Sequence, residues 1–130
     1  IGQGFAVWDA QFPAAASDRS PGQVQRPGLQ TLEAFDRWLN TATNRRSLVF
    51  FHIYEPHKPY APPAEFQTGA DAYDGEVALS DAIVGRLFDR LKARDWYDDA
   101  TIIVTADHGE GLGDHGEEEH GLFIYDEVVR

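Results

Sequence analysis

The residues of this chain best suited to chemistry are its five histidines, which fall in two short stretches. His52 and His57 lie with Glu55 and Lys58 in one; His108, His115 and His120 lie with Asp107, Glu110 and Asp114 in the other. Asp107-His108 puts a carboxylate oxygen and an imidazole nitrogen on adjacent residues, and Gly109 then lets the backbone turn sharply beside a ligand. A turning backbone can aim both groups at one divalent cation, so the pair is a candidate metal site. The plainer reading is an aspartate capping a turn beside a solvent-facing histidine, and the pair alone does not separate the two. Pro56-His57-Lys58-Pro59 holds an imidazole beside an ammonium between two rigid residues. That suits gripping an anionic oxygen or protonating a leaving group. Its plainer counterpart is a surface loop that prolines stiffen.

Other metal readings fail on spacing. Glycines at 109, 111, 113, 116 and 121 make the second stretch a loop. His115-Gly116-Glu117-Glu118-Glu119-His120 separates its histidines by five residues, not the helical four of a zinc-protease motif. No alternating acidic positions meet the offsets of an EF-hand loop. Glu117-Glu118-Glu119 reads as a solvated acidic run.

Several elements are needed to position these residues. Leu29, Leu32, Phe35, Trp38 and Leu39 recur at helical spacing and predict a helix over roughly 29–42. Val77, Ile83, Val84, Leu87, Phe88 and Leu91 predict a longer one over 74–93. Residues 47–54 and 101–105 are continuous apolar, β-branched runs of strand length, suited to burial on both faces of a parallel sheet. The four prolines of residues 55–63 force an extended loop after the first run, and residues 13–28 read as a loop. The order strand, loop, long helix, strand is a βαβ crossover, so the expected class is α/β with a parallel sheet. Ligands in such folds bind beyond the carboxyl ends of the strands, and both histidine stretches follow a strand. A common sheet edge is therefore expected to bring them together.

Composition bounds the function. The chain of 130 residues is long enough for one core. It contains no methionine and ends on an apolar stretch, and so reads as a fragment or processed piece. The absence of cysteine excludes disulfides and thiolate metal sites within the chain and leaves the compartment open. No run approaches the roughly 20 apolar residues of a membrane span. The net charge of −11 arises entirely in the second half: residues 1–65 carry six basic and six acidic residues, residues 66–130 five and sixteen. That sign argues against binding nucleic acid through its phosphates.

Three ordered motifs stand out: H-x-x-x-PH-x-PY from His52 to Tyr60, Y-D-x-E-x-x-x-x-D from Tyr73 to Asp81, and T-A-DHGE-x-LG-DHG from Thr105 to Gly116. With the aromatic, Tyr125-Asp126-Glu127 and Arg130 ending, they resemble the sulfatase branch of the alkaline-phosphatase superfamily over roughly residues 47–130, and more weakly at Gly2–Trp8. The resemblance implies that the chain is part of a catalytic domain spanning 1–130, a βαβ piece of a three-layer α/β sandwich. It implies metal-dependent hydrolysis of a small-molecule sulfate or phosphate ester, with Asp107 and His108 as metal ligands. His57 would contact the transferred group or assist the leaving group, and Lys58 would bind substrate beside it. His120 falls where many relatives place a lysine or histidine that binds the same group.

The implied cation is Ca²⁺, Mn²⁺ or Zn²⁺, with imidazole favouring the transition metals. Such enzymes carry an upstream Cys/Ser-x-Pro-Ser-Arg signature whose first residue becomes formylglycine. No such motif occurs here, so the nucleophile is expected outside this chain and the chain alone is expected to be inactive. Phosphate or phosphonate hydrolysis, phosphoethanolamine-type transfer and a non-catalytic metal-binding role are the alternatives.

Overall fold

Apolar residues spaced three or four apart cover one side of a helix, and α1, Gly28–Thr41, buries Leu32, Phe35 and Leu39 in this way. The computed structural model describes residues 2–12, 25–43, 46–67 and 71–129. Residues 13–24 of the expected loop and Arg130 of the last motif lie outside them. The chain divides into two units, Ile1–Tyr97 and Asp98–Arg130.

In the first unit, α1 packs against α2, Ala72–Lys92. Asp71 caps α2 by accepting the Tyr73 N–H at 2.9 Å. Asp74 in the first turn and Arg90 and Lys92 in the last match the helix dipole. Ile83 is wholly buried, and with the buried Leu32, Phe35, Leu39 and Leu79 it makes up the unit's apolar core. Phe35 meets Phe51 edge-on at 5.9 Å, and Trp38 meets Trp96 at 6.3 Å. Arg90 bridges to Asp36 at 2.6 Å, and Arg94 donates to the Leu39 carbonyl and Asn40. The Arg90–Asp36 pair is partly exposed and worth at most about 1 kcal/mol. Burying one side chain such as Ile83 contributes about 1.5–3 kcal/mol, so packing rather than charge holds the helices together.

The helices carry the proline-rich loop between them. α1 has no side-chain cap of its own; instead Glu55 Oε1 accepts the Gly28 N–H at 2.8 Å. Glu76, buried on α2, accepts the Ala61 N–H at 2.9 Å, and Tyr60 packs edge-on to Tyr73. Gly75 lets the loop approach, since a Cβ there would lie 2.7 Å from Pro62 Cγ and 2.8 Å from the Phe66 carbonyl oxygen. The expected apolar face of α2 is corrected here: Val77 is exposed and Glu76 is buried, because the loop needs a hydrogen-bond acceptor on that turn.

The second unit has one short helix, α3, Asp126–Val129, and one tight turn, Asp114–Gly116. Val128 is its buried apolar residue. Among the described residues no helix is long and apolar enough to cross a membrane.

The expected parallel sheet is not formed. No strand occurs among the described residues, including both apolar runs, so the βαβ reading is overturned. The physical reason is that β-branched, apolar composition only suits a run to a strand; the strand itself exists through a hydrogen-bonded ladder with another segment. Here Leu48 and Ile103, expected inside, are 85% and 83% exposed. Without a sheet among the described residues, no common strand edge joins the two histidine stretches there.

Candidate active site

The two histidine stretches lie in different units: His57 and Lys58 in the first, Asp107, His108 and His120 in the second. His57 sits between two proline peptides, both cis. Its Nδ1 lies 2.8 Å from the Lys58 carbonyl oxygen, an acceptor only, so Nδ1 carries the proton. Tyr54 packs its ring 4.5 Å from the imidazole, with its hydroxyl 3.4 Å from Nε2. Burial pushes the Tyr54 phenol above its ordinary pKa, so the hydroxyl stays a donor at neutral pH. Gln25 donates to the same Lys58 carbonyl at 2.7 Å, fixing the turn from its other side. A cavity of about 670 Å³ adjoins this loop, lined by Tyr54, Glu55, Pro59, Ala61 and Glu76, with His57 not among its lining residues. The imidazole chemistry therefore lies outside this hollow.

In the second unit the loop after Asp107 folds back on itself. The Gly109 N–H donates to the Val128 carbonyl at 2.7 Å, tying the loop to α3. Gly111 donates to the Glu119 carbonyl at 3.0 Å and Gly113 to that of Glu117 at 2.9 Å. A Cβ on Gly111 would lie 2.6 Å from the Glu119 carbonyl oxygen, so this approach requires glycine. Gly113 and His115 hold the turn in the left-handed region, at φ +94° and +55°. The His115 ring stacks on Tyr125 at 4.3 Å, and its Nε2 lies 3.7 Å from Glu127, so it orders the loop against the chain leading into α3.

This folding brings three of the expected site residues together. The His108 and His120 rings lie 4.0 Å apart, and His108 Nε2 is 3.9 Å from Asp107 Oδ1. His108 Nδ1 sits 2.7 Å from the Gly109 carbonyl oxygen and so holds the proton, which makes Nε2 the nitrogen able to bind a metal. Ligand bonds of about 2.0–2.6 Å allow two donors 3.9 Å apart to share one cation. The pair thus fits as part of a metal shell. Among the described residues no group of three or more His, Cys, Asp or Glu side chains comes together to hold a metal.

Two acidic residues acquire places that spacing had not given them. Glu110, with its side chain only 6% exposed, lies 3.0 Å from His120 Nδ1. Glu117, expected in a solvated run, is buried and accepts the Leu122 N–H at 2.8 Å; Glu118 and Glu119 are exposed as expected. The glycine at 111 is the sequence signal for this folding-back, although nothing in the spacing names the partner.

Comparison with known proteins gives a consistent family. The model described as Sulfatase matches residues 17–124. The multifunctional alkaline phosphatase superfamily protein PehA of Trinickia caryophylli is 38% identical over 66 residues, covering 51% of this chain and 13% of that protein. Phosphatidylethanolamine transferase Mcr-2 of Escherichia coli is 33% identical over 58 residues, 45% of this chain and 11% of that protein. Human iduronate 2-sulfatase is 32% identical over 85 residues, 65% and 15% respectively. The aligned parts thus span no more than 15% of the length of these relatives. No solved structure matches.

Proposed function

This chain belongs to the sulfatase family, and from that premise we propose that it supplies metal- and substrate-binding residues to a parent enzyme hydrolysing small-molecule sulfate esters. The observation that carries the reading is the grouping of Asp107, His108 and His120 on one folded-back loop, with the Nδ1 of each histidine held by its own acceptor. Asp107 and His108 would hold a divalent cation, and imidazole beside carboxylate favours a transition metal over Ca²⁺. When bound, the cation would polarise the ester and offset charge on its oxygens.

The remaining work falls to the chain's own side chains. Nδ1 of His57 keeps its proton on the Lys58 carbonyl, so Nε2 is the atom that exchanges a proton with a leaving oxygen. Lys58 supplies positive charge beside it for an anionic group. His120 binds the transferred group through Nε2, its Nδ1 being held by Glu110. The formylglycine nucleophile is expected outside these 130 residues, so the chain alone gives no turnover.

Steady-state kinetics of the full-length parent with aryl sulfates test the reading. His57→Ala and His120→Ala should each lower kcat by about 10²–10⁴-fold, the range of a lost proton-transfer group. Undiminished turnover in both would reject it. A second reading, transfer or hydrolysis at phosphorus, is favoured by the likeness to the phosphatidylethanolamine transferase. Higher kcat/KM for phosphate or phosphonate esters than for sulfates would select it.

A further inference from the structure

We propose that Glu110 is a positioning residue for His120, holding the proton on Nδ1 so that Nε2 is the atom presented to the reacting group. The proposal deepens the active-site reading above and rests on it. Three observations support it independently of the family. The Glu110 side chain is only 6% exposed, and its Oε1 lies 3.0 Å from His120 Nδ1. The Gly111 N–H to Glu119 carbonyl bond joins the residues next to each of them in sequence, so the backbone sets Glu110 and His120 opposite one another. The His120 ring is 23% exposed and lies 4.0 Å from that of His108, which restricts its rotation. A carboxylate can only accept, so the nitrogen facing it must donate. The orientation of His120 is thus fixed by a side chain, whereas His57 and His108 are fixed by backbone carbonyls that no substitution removes.

This makes the role separable by mutation. Glu110→Leu keeps roughly the size of the side chain but offers no acceptor, so Nδ1 is no longer obliged to hold the ring proton. Glu110→Ala removes the partner altogether. In the full-length enzyme, Glu110→Ala should lower kcat by about 10–100-fold, the usual cost of losing an orienting partner, with KM changed less than about threefold. In a His120→Ala background the same substitution should change kcat by less than about twofold, because residues acting as a unit are non-additive. Binding of Zn²⁺ or Mn²⁺, followed by calorimetry, should change less than about twofold, since Asp107 and His108 are untouched.

Nitrogen-15 spectra of histidine-labelled, metal-free protein give a readout independent of turnover: His120 protonated on Nδ1 in the native protein, with Nε2 protonation gained in Glu110→Leu. If Glu110→Ala does not fold, Glu110→Leu carries the kinetic and spectroscopic tests. An unchanged His120 tautomer in Glu110→Leu, or the full kcat loss persisting in the His120→Ala background, would overturn the proposal. Should His120→Ala itself leave turnover intact, this inference fails, and the active-site reading falls with it if His57→Ala is also undiminished. If His120→Ala is impaired and neither Glu110 variant is, only this inference fails.

Discussion

The two units hold their functional loops by different physics. In the first, the loop carrying His57 rests on two helices whose facing sides exclude water, and Glu55 and Glu76 fasten its backbone to α1 and α2. In the second, Val128 is the buried apolar residue, and the loop carrying Asp107, His108 and His120 is held by backbone hydrogen bonds, a close approach at Gly111 and two acidic side chains. Burial acts without direction, so a packed support tolerates adjustments of side-chain shape. Hydrogen bonds and close approaches are directional and local, so a polar support fails at single positions. The first arrangement sustains a fold; the second sustains a geometry.

The largest expected effect breaks the first support. Ile83 is fully buried at the contact of α1 with the proline-rich loop, its Cδ1 lying 2.8 Å from where a Cβ on Gly28 would be. Ile83→Ala should destabilise the protein by about 2–5 kcal/mol, measured as a shift in denaturant midpoint. A loss below about 1 kcal/mol would mean that this core does not hold the unit.

The next effect is smaller in stability and larger in geometry. Gly111→Ala forces a methyl group to within 2.6 Å of the Glu119 carbonyl oxygen and 2.7 Å of that of Glu117. The backbone must move apart, at about 1–3 kcal/mol. Amide exchange at Gly111 and Gly113 should accelerate while amides of α1 and α2 keep their protection. Equal acceleration in both units would erase the contrast drawn between them.

The helices were legible in the sequence because their signal is local. Periodicity over 29–42 and 74–93 is met by α1 and α2 within two residues at each end. Where a partner decides the outcome, legibility fails. The runs at 47–54 and 101–105 have strand composition, but no ladder completes them among the described residues. Val77 fits the apolar period of α2 and is exposed, since a loop from elsewhere in the chain meets the neighbouring Glu76. The same limit applies to the candidate site. The nearness of His108 and His120 agrees with the motif order, yet the Glu110–His120 pairing depends on a chain reversal that spacing does not encode. Glu117 looked solvated because its two acidic neighbours are, and only the fold distinguishes the three.

The smallest expected effect concerns a polar contact within the packed unit, and so tests whether directional pins matter there. Asp9 accepts from Arg26 at 2.6 Å, with Arg37 at 3.7 Å, anchoring the N-terminal segment beside the start of α1. Burial pushes the Asp9 carboxyl up, but the Arg26 hydrogen bond and charge, with smaller help from the Gln11 backbone and Arg37, bring its pKa below the ordinary 3.8. A carboxyl with a lowered folded pKa contributes stability that is present above pH 3.8 and is lost as pH falls through the folded value. The aspartate is 35% exposed, so solvent screening limits the contribution to roughly 0.2–1 kcal/mol. Asp9→Asn should therefore melt slightly below the native protein at pH 7, and the gap should close under acid and shrink in 1 M salt. A gap independent of both would assign the loss to packing, extending to this segment the rule that governs the rest of the first unit.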